Sequence, residues 1–378
     1  MSVWPLPRIT IRELNTVQEN RPVALLTSDD VWAVLNTQLK LPVVIQAEPP
    51  TYQGALFDTL AAGLPSRIQV IYAVGSGPQI DAAKIIAARN DLPLVIVPTQ
   101  LDSVAMLTPR ACVEEPSGNR VRRRYEETGP ASEIIIDWSV ISAAPEQTRA
   151  AGIVDVLSII TALLDWRHAA KQGKNPRTER FVPWAAGVAA DLVKEAIKNA
   201  AAIGQGEADA LETLLNLMMV AVQTANQIGH QRAIQGSEHY LADMLVANTP
   251  FNNRTQPTHA ELIGPCMLFV SALHGQSPTA LQDALQKANI RLDQINALDF
   301  NLMVDKIAEF VALFGVPYSI LNEIEPGAPR VEKALAAANL NIPAETWQLP
   351  GQNGEQDTQP YSDTPQEAPV EQKDVNPS

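Results

Sequence analysis

The first 140 residues alternate short apolar segments with segments of helical spacing, and this alternation restricts the fold more than any other feature of the sequence. Five segments contain an apolar stretch of strand length and fall at 22–30, which is apolar and then polar, 41–48, 66–77, 92–100 and 132–141. The segments between them with helical spacing are 31–39, 52–64 and 78–90. Such alternation is typical of βαβ units and a mostly parallel sheet. We therefore predict a Rossmann-like α/β domain over residues 1–147.

After Pro145 the sequence becomes rich in Ala and Leu and takes on a long helical period. The clearest helical segments are 182–204 and 207–229. An all-α domain is expected over residues 148–347. The segment from Leu349 onward contains six acidic residues and one lysine, with scattered Pro and Gly and few apolar residues. This composition predicts a disordered acidic tail over residues 348–378.

Composition and charge exclude several classes of protein. The net charge of −14 argues against nucleic-acid binding, which needs a cationic surface. The apolar runs are far shorter than the roughly 20 residues that cross a bilayer, so no membrane contact is expected. The N-terminus lacks a basic region followed by an apolar core, which predicts a cytoplasmic protein without a signal peptide. Cys112 and Cys266 are too few for a disulfide framework and are expected to be buried thiols.

The turn after the third apolar run is a candidate phosphate site. Gly75, Ser76 and Gly77 close the segment 66–77 after its apolar stretch, and Pro78 then occupies the first turn of a helix. Glycines let backbone amides approach a diphosphate, and the helix N-terminus adds partial positive charge. The same turn also occurs in many βα connections that bind nothing.

Further candidate ligand contacts follow two neighbouring strands. One strand ends in Pro98-Thr99 and leads to Asp102, at the sheet edge where ligands of parallel sheets bind; the alternative is an ordinary strand exit. Asp29 or Asp30 follows the first strand, where a carboxylate would bind the ribose hydroxyls of NAD and repel the 2′-phosphate of NADP. The same "SDD" sequence is also a good helix N-cap.

The helical half contains a candidate set of metal ligands. His239 is placed near a helix start, and His259 follows Thr258, which forms a capping box with Glu261. For either histidine alone, an ordinary helix position is the simpler interpretation. Asp155 lies among apolar residues, where a carboxylate is costly to bury unless it is paired or bound to a cation. Asp165 is expected at a surface or an interhelical contact.

These motifs resemble those of the iron-containing alcohol dehydrogenase and dehydroquinate synthase superfamily, and most closely its sn-glycerol-1-phosphate dehydrogenase and glycerol dehydrogenase branch. The similarity runs from about residue 20 to 340, with the motifs in the family's order. The family's nucleotide turn, G-G-G-S-x-x-D-x-A-K, matches Gly75, Gly77, Asp81 and Lys84, with Ser76 at the middle glycine, and its V-P-T strand end matches Val97-Pro98-Thr99.

The family's metal motifs are also present. The A-G-x-x-D motif matches Ala151, Gly152 and Asp155, and the D-W of the same helix matches Asp165-Trp166. The G-S-E-H motif matches residues 236–239. The H-G-E-x-[VI]-G motif matches residues 259–264, with Ala260 in place of the first glycine.

The resemblance implies a dehydroquinate synthase-like fold in which the first domain binds NAD or NADP and the helical domain holds one divalent metal. The metal ligands would be Asp155, His239 and His259, a set that suits Zn or Fe. The implied catalytic residues are these three and Asp102. The implied cofactor contacts are Gly75, Ser76, Gly77, Asp81, Pro98, Thr99 and Asp29. The expected substrate is a small polyol or its phosphate, with sn-glycerol 1-phosphate and dihydroxyacetone phosphate as the favoured pair, and the expected assembly is a homo-oligomer, a dimer or larger.

Two departures leave alternatives open. Val104 occupies the position of the branch's substrate-binding Asp, so Asp102 would replace it only through a shift of two residues in the loop, and Ala260 replaces a usual glycine. The alternatives are a sugar-phosphate cyclase of the dehydroquinate synthase type, which also uses NAD and a metal, and a non-catalytic relative. A hairpin over 111–127 carries four arginines, at 120, 122, 123 and 124, which either reach a phosphate or form a solvated surface.

Overall fold

A parallel sheet and a set of helices make up the computed structural model, which describes residues 3–117, 120–248 and 257–340. Within these ranges the strands are β1 (Arg8–Ile11), β2 (Val23–Leu26), β3 (Val43–Ala47), β4 (Val70–Gly75), β5 (Leu94–Pro98), β6 (Arg110–Ser117), β7 (Arg120–Glu127) and β8 (Glu133–Ile136). Six of them form a parallel sheet in the order β1-β8-β5-β4-β2-β3, and β6 pairs with β7 as an antiparallel hairpin.

The strand order creates a ligand-binding position in the middle of the sheet. From β2 the chain moves outward to β3 and then returns to place β4 on the other side of β2. The connections therefore diverge between β2 and β4, and ligands of open α/β sheets bind at the carboxyl ends of strands where this happens. Gly75, the last residue of β4, lies at this edge.

The central strands are covered on both faces. Val70, Tyr72 and Val74 of β4 pack in one apolar cluster with Leu35, which belongs to helix α1 (Asp29–Leu35). Their neighbours in β4, beginning with Ile71, belong to the larger cluster on the opposite face. Alternating side chains of a strand point to opposite faces, so an uninterrupted apolar run is what a strand with two covered faces requires.

Helices make up most of the remaining described chain. In chain order, the helices that lie between the strands or directly after the last strand are, besides α1, α2 (Gly54–Ala62), α3 (Pro78–Asn90), α4 (Trp138–Ala143) and α5 (Glu146–Arg149). The following ones are α6 (Ile153–Leu157), α7 (Ile159–Lys171), α8 (Pro183–Gln205), α9 (Ala208–Ile228), α10 (Ser237–Asn248), α11 (His259–Leu273), α12 (Thr279–Lys287), α13 (Ala297–Val304), α14 (Ile307–Phe314) and α15 (Pro329–Ala337). Short 3-10 turns lie at Leu14–Thr16, Val104–Leu107, Arg177–Glu179 and Ile320–Glu323.

The predicted fold class is confirmed, and the two long helices lie where their periodicity predicts them. Strand β1 was missed, because its four residues have no long apolar run; it is held at the sheet edge by parallel pairing with β8. The domain boundary near 147 stays a prediction. The hairpin is confirmed, although Gly118 and Asn119 lie outside the described residues, as does the predicted tail at 348–378. Among the helices in the described ranges, none has the length and hydropathy needed to cross a bilayer.

Candidate active site

A cavity of about 300 Å³ lies where the carboxyl edge of the sheet meets the helices. Gly77 lines it from the end of β4, and Asp102 lines it from the loop after β5. Asp155, His239 and His259 line it from α6, α10 and α11. The candidate cofactor turn and the candidate metal ligands therefore share one enclosure.

The glycine turn has the backbone that its sequence requires. Gly75 has a φ of 145° and Gly77 a φ of 52°, conformations that favour glycine. Pro78 begins α3, as predicted. Thr99 donates its backbone N–H to the carbonyl of Gly75 at 3.2 Å, and Ser76 Oγ accepts a hydrogen bond from Gln100 at 2.9 Å. The ends of β4 and β5 thus form one joined edge, with the N-terminus of a 13-residue helix directed at it.

The loop after β5 connects this edge to the candidate metal site. Asp102 lines the cavity, and burial there raises its pKa to about 6. Two residues on, the backbone N–H of Val104 donates to Asp155 Oδ2 at 2.7 Å. Val104 is thus a backbone contact to Asp155, and the carboxylate that this loop offers to the cavity is Asp102.

Gly152 makes this contact possible. A Cβ at Gly152 would lie 2.9 Å from the carbonyl oxygen of Leu101 and 3.1 Å from the backbone nitrogen of Ser103. Because glycine has no Cβ, the loop can lie directly against the start of α6. The glycine and the aspartate of the A-G-x-x-D pattern are therefore parts of one contact.

Asp155 and His259 are in direct contact. Asp155 is 5% exposed, and its Oδ1 lies 2.6 Å from His259 Nε2. His259 is the first residue of α11 and follows Thr258, whose side chain and that of Glu261 form the predicted capping box. Although burial opposes ionisation of Asp155, His259 and His239 lower the pKa of this carboxyl below its usual range.

His239 approaches the same carboxylate from α10. Its Nε2 lies 3.7 Å from Asp155 Oδ1, and its Nδ1 lies 2.9 Å from Oε1 of Glu238. Burial lowers the pKa of His239, but the neighbouring carboxylates of Asp155 and Glu238 outweigh burial and raise the pKa to about 10. Glu238 is fully buried and also accepts a hydrogen bond from Thr161 at 2.8 Å. Sequence reasoning gave Glu238 no role, although a carboxylate next to a candidate histidine ligand is a recognisable signal.

Asp165 is not at a surface, and it lies in α7 rather than in the same helix as Asp155, which belongs to α6. It is fully buried and joins several segments: Oδ2 accepts from the backbone N–H of Ser237 at 2.8 Å and from its hydroxyl at 2.5 Å. Its Oδ1 lies 2.9 Å from His274 Nε2 and accepts from the backbone of Ile320 at 3.0 Å. Of the two expected positions, the interhelical contact is the one observed. It anchors the residue at which α10 begins, two positions before His239.

Together, Asp155, His239 and His259 form the cluster in the described residues whose ligand atoms all lie within 4.8 Å of one another. Their ring and carboxylate atoms converge on one point at the cavity wall, with the two imidazole centroids 5.7 Å apart. One carboxylate oxygen and two imidazole nitrogens are ligands typical of Zn and Fe sites.

Asp81 and Lys84 lie in α3, behind the glycine turn. Asp81 lines the cavity, and burial raises its pKa. Lys84 is fully buried; its Nζ lies 3.6 Å from Asp81 Oδ1 and donates to the carbonyl oxygens of Ala105 and Arg110. Lys84 thereby ties α3 to the loop that precedes β6 and to the first residue of β6. Sequence reasoning recorded this lysine only as part of a motif.

Two further sequence candidates lie in different surroundings. Asp29 is exposed at the first position of α1, with Ser28 as the N-cap, and its Oδ1 accepts from Gln46 at 3.1 Å. Its role in ribose binding stays a prediction. Cys112, expected to be buried, is half-buried and lines the cavity, whereas Cys266 is buried as predicted.

Comparison with known proteins gives a match to one family. Residues 12–145 match the family model described as iron-containing alcohol dehydrogenase. The match covers five of the six strands of the parallel sheet, all but β1, and ends before Asp155, so it supports the α/β part alone.

Curated relatives extend the similarity into the helical part. The chain is 28% identical over 222 residues to a glycerol-1-phosphate dehydrogenase (NAD(P)+) of Methanothermobacter thermautotrophicus, which covers 59% of this chain and 60% of the relative. It is 27% identical over 290 residues to the enzyme of the same name from Thermofilum pendens, covering 75% and 78%. Across the first relatives matched, the chain spans about 60% of their length.

Solved structures share the fold over nearly the whole chain. Glycerol dehydrogenase from Schizosaccharomyces pombe superposes with a TM-score of 0.64 at 15% identity and 90% coverage of both chains. Sulfoacetaldehyde reductase from Bifidobacterium kashiwanohense, solved in complex with NAD+, gives 0.60 at 14% identity, covering 90% of this chain and 98% of that one. The resemblance inferred from the motifs is thus confirmed in sequence and in fold.

Proposed function

We propose that this protein is a metal-dependent, NAD(P)-linked oxidoreductase that acts on the CH–OH group of a small polyol or polyol phosphate. The favoured substrate pair is sn-glycerol 1-phosphate and dihydroxyacetone phosphate. The observation that carries the proposal is the convergence of Asp155, His239 and His259 in a cavity that the glycine turn also lines. A hydride-transfer enzyme of this kind needs a metal-binding set and a dinucleotide turn beside each other.

The three residues fit a divalent metal. The backbone N–H of Val104 donates a hydrogen bond to Oδ2 of Asp155, which leaves Oδ1 directed at the histidines. Glu238 holds Nδ1 of His239, which directs Nε2 toward the same point. Hydrogen-bonded partners behind the ligands are typical of well-ordered metal sites, and Asp155 and His239 each have one, which supports Zn or Fe as the metal.

A dinucleotide fits the joined edge of β4 and β5. Under the proposal, Gly75, Ser76 and Gly77 bind the diphosphate at the start of α3. Pro98 and Thr99 form the neighbouring wall, Asp81 supports the turn from behind, and Asp29 binds the adenine ribose. The name of the curated relatives, which specifies NAD(P)+, supports this assignment.

The protein's own groups provide a hydrogen-bond acceptor that orients the substrate. When bound, the metal supplies a Lewis acid for the substrate oxygen and the nicotinamide supplies or accepts the hydride. Asp102, as a carboxylate, accepts a hydrogen bond from a substrate hydroxyl and so orients the carbon that reacts. It takes the place of the aspartate that the related branch carries at the position of Val104.

The proposal includes location and assembly: the enzyme works in the cytoplasm on small-molecule substrates, as a homo-oligomer of two or more chains. Light scattering after size-exclusion chromatography measures the assembly directly. A monomer at micromolar concentration would contradict this part alone.

The experiment is a joint measurement of metal content and turnover on the wild type, His259→Ala and His168→Ala. Metal is quantified by mass spectrometry, and NADH oxidation is followed with dihydroxyacetone phosphate. We expect one equivalent of Zn or Fe in the wild type, lost together with turnover in His259→Ala. His168→Ala is the matched control, because His168 pairs with Glu323 and is not among the cavity-lining residues; it should keep both.

Other outcomes lead to the alternatives. Net oxidation of NADH excludes a cyclase of the dehydroquinate synthase type, which regenerates its cofactor within each turnover. Metal without turnover on any ketone would contradict the proposed substrate class. If the wild type binds neither metal nor nicotinamide, the result would favour the alternative of a non-catalytic relative.

A further inference from the structure

The β6–β7 hairpin presents two different faces. Its register places Glu114 opposite Arg123 and Cys112 opposite Tyr125. Alternation along the strands then puts Arg110 on the same face as these residues and Arg124 on the opposite face. Arg124 pairs with Glu115 and Glu126 on that outer face. The expectation of a solvated arginine cluster is therefore wrong for the inner face, which lines the cavity.

Arg123 is a largely covered, firmly held cation. Its side chain is 12% exposed, and its Nε donates to Glu114 Oε1 at 3.0 Å. Its guanidinium lies 5.5 Å from the ring centroid of Tyr52, and its Nη1 lies 4.0 Å from Asp243 Oδ1. That last distance is too long for a direct hydrogen bond. One edge of the guanidinium is thus anchored by Glu114, while the Nη edge keeps donor capacity.

Arg110 adds a second cation to the same wall. Its guanidinium lies 5.0 Å from the ring centroid of Tyr125, and its Nε is 3.6 Å from Glu127 Oε1. Within the described ranges this Nε is buried and lacks a hydrogen-bond acceptor. Tyr125 therefore separates two guanidinium groups on one face of the hairpin.

The two arginines are close to the candidate metal ligands. Both line the same cavity as Asp155 and His239. Asp243, the acidic neighbour of Arg123, lies four residues after His239 in α10, which is one helical turn of about 5.4 Å. A site for two guanidinium groups beside a site for a divalent metal suits a ligand that itself carries several negative charges.

We propose that Arg110 and Arg123 form the subsite for the phosphoryl group of the substrate, so that the enzyme selects a phosphorylated polyol over the free polyol. This inference rests on the proposed function and names the residues that determine its specificity. Guanidinium groups bind phosphate with paired, charge-assisted hydrogen bonds, for which a planar, fixed donor edge is suited. Glu114 and Tyr52 provide that fixation for Arg123.

Kinetics with a matched substrate pair test the inference. Dihydroxyacetone phosphate and dihydroxyacetone are compared on the wild type, Arg123→Gln, Arg110→Gln and the outer-face control Arg124→Gln. For Arg123→Gln we expect KM for the phosphorylated substrate to rise about tenfold or more, with kcat/KM for the free polyol within about twofold of wild type. Arg124→Gln should change neither. An equal loss on both substrates would assign Arg123 a structural role and overturn the inference.

A binding measurement keeps the two proposals distinguishable. Inorganic phosphate is titrated into each metal-loaded variant by calorimetry, which needs no turnover. Phosphate binding that weakens in Arg123→Gln and Arg110→Gln would support the subsite even if neither substrate reacts, in which case only the proposed function fails. Phosphate binding unchanged in both variants would overturn the subsite. Arg123→Lys keeps the charge if Arg123→Gln does not fold, and should weaken phosphate binding by less than Arg110→Gln.

Discussion

Glu238 Oε1 lies 2.9 Å from His239 Nδ1, and the same carboxylate is held by the backbone N–H of Gly236 at 2.7 Å and the hydroxyl of Thr161 at 2.8 Å. This arrangement fixes the orientation of the His239 ring from behind. Because the carboxylate is fully buried and hydrogen-bonded on several sides, it forms a rigid support for the candidate ligand.

Glu238→Gln should therefore weaken metal binding while leaving the three ligands in place. Outer partners of this kind are typically worth about 10- to 100-fold in metal affinity. The measurement is a competition titration of metal against a chelator, which does not depend on activity. Glu195→Gln, in α8 with a side chain that is 44% exposed, is the control and should bind as the wild type does. Equal affinity of Glu238→Gln and wild type would show that Glu238 does not support the site.

Gly236→Ala should damage the site through backbone displacement. A Cβ at Gly236 would lie 2.8 Å from Ala162 Cα and 2.9 Å from Asp165 Oδ2. To avoid these atoms, the segment leading to His239 must shift, and we expect lower metal affinity together with a loss of about 1–3 kcal/mol in the free energy of unfolding. Gly187→Ala in α8 has open space at its Cβ and should be neutral or stabilise by up to about 1 kcal/mol. Similar denaturation midpoints for the two variants would disprove this reading of Gly236.

Local features of the sequence predict the elements, and the motifs predict which residues meet. The capping box at Thr258 and the glycine turn each depend on residues a few positions apart, so pattern alone identifies them. Strand β1 was missed because it is stabilised by pairing with β8, more than 120 residues away. Such pairing leaves no local periodicity in a four-residue segment.

Long-range contacts explain the other misses in the site. The partner of Asp165 at Ser237 is 72 residues away in the chain, and no spacing rule connects them. For Arg123, the alternation of the hairpin was readable, but which face meets the cavity depends on how β6 and β7 pack against α3 and α10. Burial of a charged group is decided by tertiary packing of this kind.

Asp29→Ser should shift the cofactor preference toward NADP(H). Asp29 is exposed directly after β2, at the edge where the connections diverge, and its charge would repel a 2′-phosphate. We expect the ratio of kcat/KM for NADH to that for NADPH to fall by about tenfold. Asp191→Ser removes an equal charge from an exposed position of α8, a helix that is not part of the sheet edge, and should leave the ratio unchanged. An unaltered ratio in Asp29→Ser would show that a residue other than Asp29 binds the ribose.

Asp102→Asn should lower activity and raise stability at neutral pH. Burial raises the pKa of Asp102 from its ordinary value of 3.8 to about 6, so the folded protein disfavours the charged form more than the unfolded chain does. The stability that the protonated Asp102 side chain contributes to the wild type is fully present below about pH 4 and is lost as pH rises through about 6. A shift of about two pKa units corresponds to at most about 3 kcal/mol. Asp102→Asn should therefore unfold at higher denaturant concentration than wild type at pH 7.5 and at the same concentration at pH 3.8.

Asp102→Asn should lose activity although it gains stability. If the carboxylate of Asp102 accepts the hydrogen bond from the substrate hydroxyl, kcat/KM of the wild type falls below about pH 6, as that group is protonated. Asp102→Asn should be less active at pH 7.5 and should lack this acidic limb. A group that costs stability and supports turnover is characteristic of functional sites. A variant that is both less stable and unchanged in its pH profile would instead make Asp102 a structural residue of the loop.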